Sequence, residues 1–189
     1  MVKGLNVGRR NISEFRVLIV PGLHGSDPEH WQSRWQRLYP SFERVEQADW
    51  ETPDLSAWSA RLEQALCCSS RPALVVAHSF GCLATVHAAS RGVPNVAAAL
   101  LVAPADPGKF GLSGPLSVCP LTKSSLVVGS RNDPWMASQQ AEFWAKMWGA
   151  NFLCAGDLGH INTASGIGDW SFGLSLLQDM ELNVEGLYL

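Results

Sequence analysis

No stretch of the sequence reaches the roughly 18 consecutive apolar residues that a membrane-spanning helix requires, so no membrane association is expected. The first 14 residues carry Lys3, Arg9 and Arg10 but no apolar core of the kind a secretion signal needs, and residues 1–14 are expected to form a flexible segment. Charge is scarce as well. Only 16% of the 189 residues are charged, the net charge is −3, and the lysines and arginines are scattered, so no field draws nucleic acid or an anionic membrane surface. The five cysteines, Cys67, Cys68, Cys82, Cys119 and Cys154, are odd in number and lack Cys-x-x-Cys spacing, which disfavours a disulfide framework and a zinc site. Reduced thiols and a cytoplasmic location are the expectation. There is no internal repeat, low-complexity tract or interdomain linker. With 47% apolar residues the chain is long enough for one well-buried domain and short for two, so a single domain over 15–189 is expected.

What is present is an alternation of short apolar runs with amphipathic stretches. Runs near 15–20, 42–48, 73–78, 96–103, 124–129 and 151–155 read as strands, and the segments between them show helical periodicity. That alternation defines an α/β fold: a six-stranded, mostly parallel sheet with helices on both faces. Ser26 with Glu29 three residues on, and Pro28 between them, reads as a capping-box start for a helix through Trp31, Trp35 and Leu38. Residues 55–66 and 137–148 repeat the helical period, and 166–180 closes the fold. The segment 107–120 is rich in glycine, proline and serine and reads as a surface loop, with no large lid domain.

The most informative stretch is Leu74-Val75-Val76-Ala77-His78-Ser79-Phe80-Gly81-Cys82, where an apolar strand ends on a serine boxed by small residues and a helix follows at once. In a Gly-x-Ser-x-Gly elbow the serine occupies a sharp, strained strand-to-helix turn, so the residues two before and two after it must be small. Ala77 and Gly81 fill those places, with alanine standing where the full motif has glycine. Such a turn lifts the hydroxyl above the sheet edge and aims the first helical N–H groups at the same point.

A base and an acid follow in chain order. Of the five histidines, His24 and His30 precede the serine, His78 adjoins it and should point to the opposite side, and His87 lies a helical stretch of about 12 Å away. His160, in a glycine-bearing loop after a short strand, remains as the candidate base. Asp133, fixed ahead of Pro134 at the end of another strand, is the preferred acid. Asp106 competes, because it also lies just beyond a strand, and Asp157 is a third candidate close along the loop to His160. The loop Pro21-Gly22-Leu23-His24-Gly25 should run beside the elbow at the carboxyl ends of the strands, where ligands bind in open α/β sheets. The backbone N–H groups of Leu23 and Phe80 are the candidate oxyanion donors.

Eight tryptophans exceed what a core of this size requires. Trp31 with Trp35, and Trp144 with Trp148, are spaced to pack inward on helix faces. Trp135, just past the candidate acid, is placed to wall a substrate pocket, with His24 and Phe80 as further candidates. His24 and His30 near Asp27 and Glu29 lack a recognised metal-ligand spacing, so neither a metal nor an organic cofactor is expected.

Taken together, Val17-Leu18-Ile19-Val20-Pro21-Gly22-Leu23-His24-Gly25-Ser26 with His30-Trp31, the elbow, Leu101-Val102-Ala103-Pro104-Ala105-Asp106, Ser130-Arg131-Asn132-Asp133-Pro134 and Gly159-His160-Ile161-Asn162 resemble a known group. It is the small serine hydrolases of the α/β-hydrolase fold typified by retinoblastoma-binding protein nine and the bacterial YdeN-type proteins. The likeness covers roughly residues 15–179. It implies a compact α/β-hydrolase fold, Ser79 as nucleophile, Asp133 as acid and His160 as base, and names no substrate. Those roles make an esterase or amidase acting on a small-molecule acyl substrate the first expectation. Two other uses of the same scaffold stay open at this stage: a catalytically idle module that binds a protein or small molecule, and an acyltransferase.

Overall fold

The computed structural model describes residues 15–117, 119–121 and 124–185. The expected flexible segment 1–14 lies outside the described residues. Six strands form one sheet: β1 (Arg16–Val20), β2 (Phe42–Arg44), β3 (Ala73–His78), β4 (Val96–Val102), β5 (Leu126–Gly129) and β6 (Asn151–Cys154). Their order is β2-β1-β3-β4-β5-β6 and every neighbouring pair is parallel. Parallel strands need covered faces and long crossovers, which is why β1, β3 and β4 are apolar but for Arg16 and His78 at their ends. Every residue of β1 and β3 is buried.

Helices α1 (Trp31–Leu38) and α6 (Ser171–Glu185) cover one face, with Trp31, Trp35, Leu177, Met180 and Val184 packed on Val17, Ile19, Leu74, Val76 and Leu100. On the other face α2 (Leu55–Cys67), α3 (Phe80–Ser90) and α5 (Ser138–Met147) bury Trp58, Leu62, Leu83, Trp144 and Ala145 against Leu18, Val75, Leu101 and Val127. Truncating one of these central strand leucines removes its packing and leaves a cavity, a loss of about 2–5 kcal/mol. The tryptophan pairs at 31/35 and 144/148 pack inward as their spacing predicts.

Four expectations about local structure are corrected. The first helix begins at Trp31, not at Ser26: His30 is its N-cap, Asp27 accepts the N–H groups of Glu29 and His30, and the Ser26 hydroxyl is donated to Gln32 Oε1 instead of a helix N–H. Strand β2 stops at Arg44, short of 48. The last helix starts at Ser171, because Gly166, Gly168 and Trp170 have positive φ, a conformation that cannot continue a right-handed helix. The segment 107–120 is not a plain loop, since it holds a 3-10 turn (Pro107–Phe110) and a one-turn helix, α4 (Ser113–Leu116).

Candidate active site

Three side chains from three strand ends meet at the carboxyl edge of the sheet. Ser79 follows β3 directly, with φ 52° and ψ −122°, the strained conformation an elbow requires. The neighbouring glycines explain the tight fit. A Cβ on Gly81 would collide with the carbonyl oxygens of Val20 and Pro21, and one on Gly22 would stand 2.6 Å from Ser79 Cβ. At the position two before the serine, Ala77 is fully buried and its methyl group is absorbed into the core.

The Ser79 hydroxyl lies 3.0 Å from His160 Nε2. On the far side of that ring, His160 Nδ1 lies 2.9 Å and 3.1 Å from the two carboxylate oxygens of Asp133. The side chains are well sheltered, at 10% exposure for His160 and 2% for Asp133. Asp133 also accepts the Trp135 N–H, which holds its carboxylate in the turn after β5. The competing carboxylates are used elsewhere: Asp106 caps the 3-10 turn through the Gly108 N–H, and Asp157 pairs with Arg131. A carboxylate that fixes an imidazole tautomer, with the other ring nitrogen on a hydroxyl, is an arrangement able to take that hydroxyl's proton as it attacks a carbonyl.

The loops bearing these side chains are stitched together by groups that sequence reasoning did not single out for this purpose. Asn132 Oδ1 accepts the Gly159 N–H at 2.7 Å, and the Ser130 hydroxyl accepts the Leu158 N–H at 2.9 Å. Both Ser130 and Asn132 sit in the Ser-Arg-Asn-Asp-Pro run, so the run was visible although its bonding was not. Helix α1 holds the other side, with Trp31 Nε1–H donated to Ile161 O and Trp35 Nε1–H to Asp169 O.

The remaining predicted residues take the following places. The N–H groups of Leu23 and Phe80 engage no acceptor among the described residues, and Gly22 brings the Leu23 loop against the serine. His24 stands at the rim with positive φ, its Nδ1 2.8 Å from Glu51. Trp135 is 58% exposed and lines the cleft, while Lys109 Nζ bonds to its carbonyl and lies over its ring. Phe80 departs from expectation as a pocket wall: its ring is fully buried, edge-on to Trp58 and tilted against Phe110. His78 also differs from expectation. It does leave the strand on the α1/α6 face, yet its ring comes round to the cleft and its Nε2 reaches His160 O at 2.9 Å.

The cleft encloses about 500 Å³. Leu23, Ala105, Phe110 and Trp135 form an apolar wall, and His24, Asp27, His30, Asn162 and Thr163 a polar one. Two of these groups are electrostatically displaced. Burial pushes the His30 imidazole down to about 4, against the attraction of Asp27, so the ring is neutral at neutral pH. Burial opposes the charge on Asp27, but the Thr163 hydroxyl and the Glu29 and His30 N–H groups outweigh it and hold the carboxyl below its ordinary value. No cluster of three or more metal-ligating side chains occurs among the described residues, and no helix there is long and apolar enough to cross a membrane.

Comparison with known proteins bears on the family and the fold. Over residues 17–179 the sequence matches the model of the family described as serine hydrolase. The chain is 36% identical to a YdeN-like hydrolase from Pectobacterium atrosepticum, covering 89% of this chain and 92% of that one with a TM-score of 0.85. The ydeN gene product of Bacillus subtilis shares the fold at 18% identity and a TM-score of 0.70, over 88% of this chain and 98% of that one. Est1E from Butyrivibrio proteoclasticus, solved with ferulic acid bound, does so at 13% identity and a TM-score of 0.63, over 92% and 89%. Curated protein sequences yield no match. With the elbow, the six-stranded α/β-hydrolase sheet and a family match across most of its length, the chain belongs to the serine hydrolase family.

Proposed function

We propose that the protein hydrolyses small carboxylic esters or amides through an acyl-enzyme formed on Ser79. The observation that carries this reading is the relay from Ser79 Oγ to His160 Nε2 at 3.0 Å and from His160 Nδ1 to Asp133 at 2.9 Å, mounted on a strained elbow. In the first half-reaction His160 Nε2 accepts the hydroxyl proton while Oγ forms a bond to the acyl carbon. Asp133 orients the ring and stabilises the imidazolium. The carbonyl oxygen, now negative, is held by the N–H groups of Leu23 and Phe80. Collapse of the tetrahedral intermediate breaks the bond to the leaving group, which departs with the proton from His160. In the second half, water gives a proton to His160, attacks the acyl carbon and releases the carboxylic acid, and Ser79 recovers its proton. These steps call for no cofactor.

Cleft shape supports a substrate class. The apolar wall suits a compact hydrophobic acyl or leaving group against Trp135, while His24 faces the rim. A p-nitrophenyl ester tests the reading. Stopped-flow hydrolysis should show a burst of about one p-nitrophenol per active site before the steady state, as acyl-enzyme chemistry predicts. Ser79→Ala should abolish both phases; hydrolysis by Ser79→Ala at the wild-type rate would contradict the proposal.

A further inference from the structure

We propose that His78 is a positioning residue for His160: by donating its Nε2–H to the main-chain carbonyl of His160 it sets where the base stands between Ser79 and Asp133. The inference rests on the hydrolase reading above. Its starting point is the His78 Nε2 to His160 O distance of 2.9 Å. The next carbonyl along, Ile161 O, accepts Trp31 Nε1–H at 2.8 Å. Two consecutive carbonyls at the base are thus gripped by ring N–H donors from two different elements, β3 and α1.

The loop needs such a grip. Gly156 and Gly159 have φ of +88° and +55°, and Ile161 has φ of +46°, a conformation that a β-branched residue rarely adopts. On the amino side of His160 the loop is tied by Ser130 and Asn132. On the carboxyl side His78 and Trp31 do the tying. His78 cannot swing away, because it is buried, with its ring edge-on to His30 at 4.7 Å and to His160 at 4.9 Å. His30 is itself fixed by the Gln32 N–H on its Nδ1.

The bond also dictates a tautomer. Burial, with His30 and His160 adding to it, pushes the His78 imidazole well below its ordinary value, so the ring is neutral and carries one proton. Donation to a carbonyl puts that proton on Nε2 and leaves Nδ1 bare. Since His78 directly precedes Ser79, a single hydrogen bond registers the nucleophile's strand against the base's backbone. A ring that merely satisfied its own burial would leave turnover per active site untouched by its loss.

Two measurements test this. In uniformly ¹⁵N-labelled wild type, the long-range ¹H–¹⁵N spectrum at neutral pH should show His78 as the Nε2–H tautomer; an Nδ1–H ring would overturn the proposal whatever the variants do. In kinetics, acylation by a fluorophosphonate is measured for wild type, His78→Phe and His78→Gln, with rates expressed per titrated active site. Misplacement of a reacting group by about 1 Å can cost about 10²-fold, so His78→Phe should acylate about 10–100-fold more slowly, its fall in ester turnover lying in kcat while KM stays within about twofold. Glutamine, which restores an N–H donor near the Nε2 position, should recover most of that loss. A His78→Phe variant as fast as wild type, or a glutamine variant no faster than phenylalanine, would overturn the positioning role alone. Failure of wild type itself to react would overturn the hydrolase reading as well.

Discussion

At the scale of single residues, what each carboxylate oxygen already does favours Asp133 over Asp106 and Asp157 as the acid of the proposed relay. Asp133 gives both oxygens to the imidazole, whereas Asp106 caps a turn and Asp157 pairs with an exposed arginine. Asp133→Asn should therefore lower kcat by about 10⁴-fold, the scale seen when a triad acid is neutralised, and Asp106→Asn, which keeps a good capping side chain, should stay within about threefold. Steady-state kinetics on the two variants checks this, and a greater loss at Asp106 would refute it. Histidine 30 makes a prediction about stability. In the unfolded chain its ring takes up a proton near pH 6.5, but in the fold only near 4, so between those values the unfolded state binds more protons. Its contribution is fully present above about pH 6.5 and is lost as pH falls towards 4, by roughly 3 kcal/mol in total. Urea denaturation across that window should show the decline, and His30→Asn, which keeps a capping oxygen without the titration, should flatten it.

At the scale of elements, the elbow is the most constrained piece of backbone. Gly81 sits where any Cβ would strike the carbonyls of Val20 and Pro21, while Gly114 in α4 has open space around it. Gly81→Ala should destabilise the protein by about 1–3 kcal/mol and impair turnover, because the strand and helix must part to admit the methyl group. Gly114→Ala should be neutral or slightly stabilising, through the lower entropy of the unfolded chain. Thermal unfolding of the two variants compares them directly. These elements also show where sequence is transparent. Ser79 was legible because its restrictions are local, with the small neighbours and the apolar strand lying within a few residues of it. Asp133 and His160 were legible from chain order and strand ends. The ties that place them were not, since Trp31 with Ile161, His78 with His160 and Asn132 with Gly159 join segments far apart along the chain, and no local pattern encodes them. The start of α1 was misplaced for a different reason: Ser26 and Glu29 have capping-box spacing, but Gln32 and Arg34, only a turn or two further on, claim their side chains.

At the scale of the whole molecule, the parallel arrangement brings the carboxyl ends of β1, β3, β5 and β6 to one edge, and the connection after β4 lines the cleft through Ala105, Asp106, Lys109 and Phe110. The six-strand parallel sheet was readable from the alternation of apolar runs and helical periods, while the length of β2 and the helical turns within 107–120 depended on packing that the sequence does not display. A cleft of about 500 Å³ open to solvent at Trp135 has room for a compact acyl group. Beyond it, further methylenes would remain in water and forgo the roughly 0.8 kcal/mol that each buried CH₂ contributes. Across p-nitrophenyl esters from acetate to palmitate, kcat/KM should peak among the short chains; a steady climb beyond octanoate in detergent-free solution would contradict this. All of this rests on Ser79 being the activated nucleophile. The most direct measurement is labelling with a fluorophosphonate followed by peptide mass spectrometry: the account predicts a single adduct, on Ser79, absent from Ser79→Ala and strongly slowed in His160→Ala. Stoichiometric labelling at another residue, or equal labelling of Ser79→Ala, would contradict it.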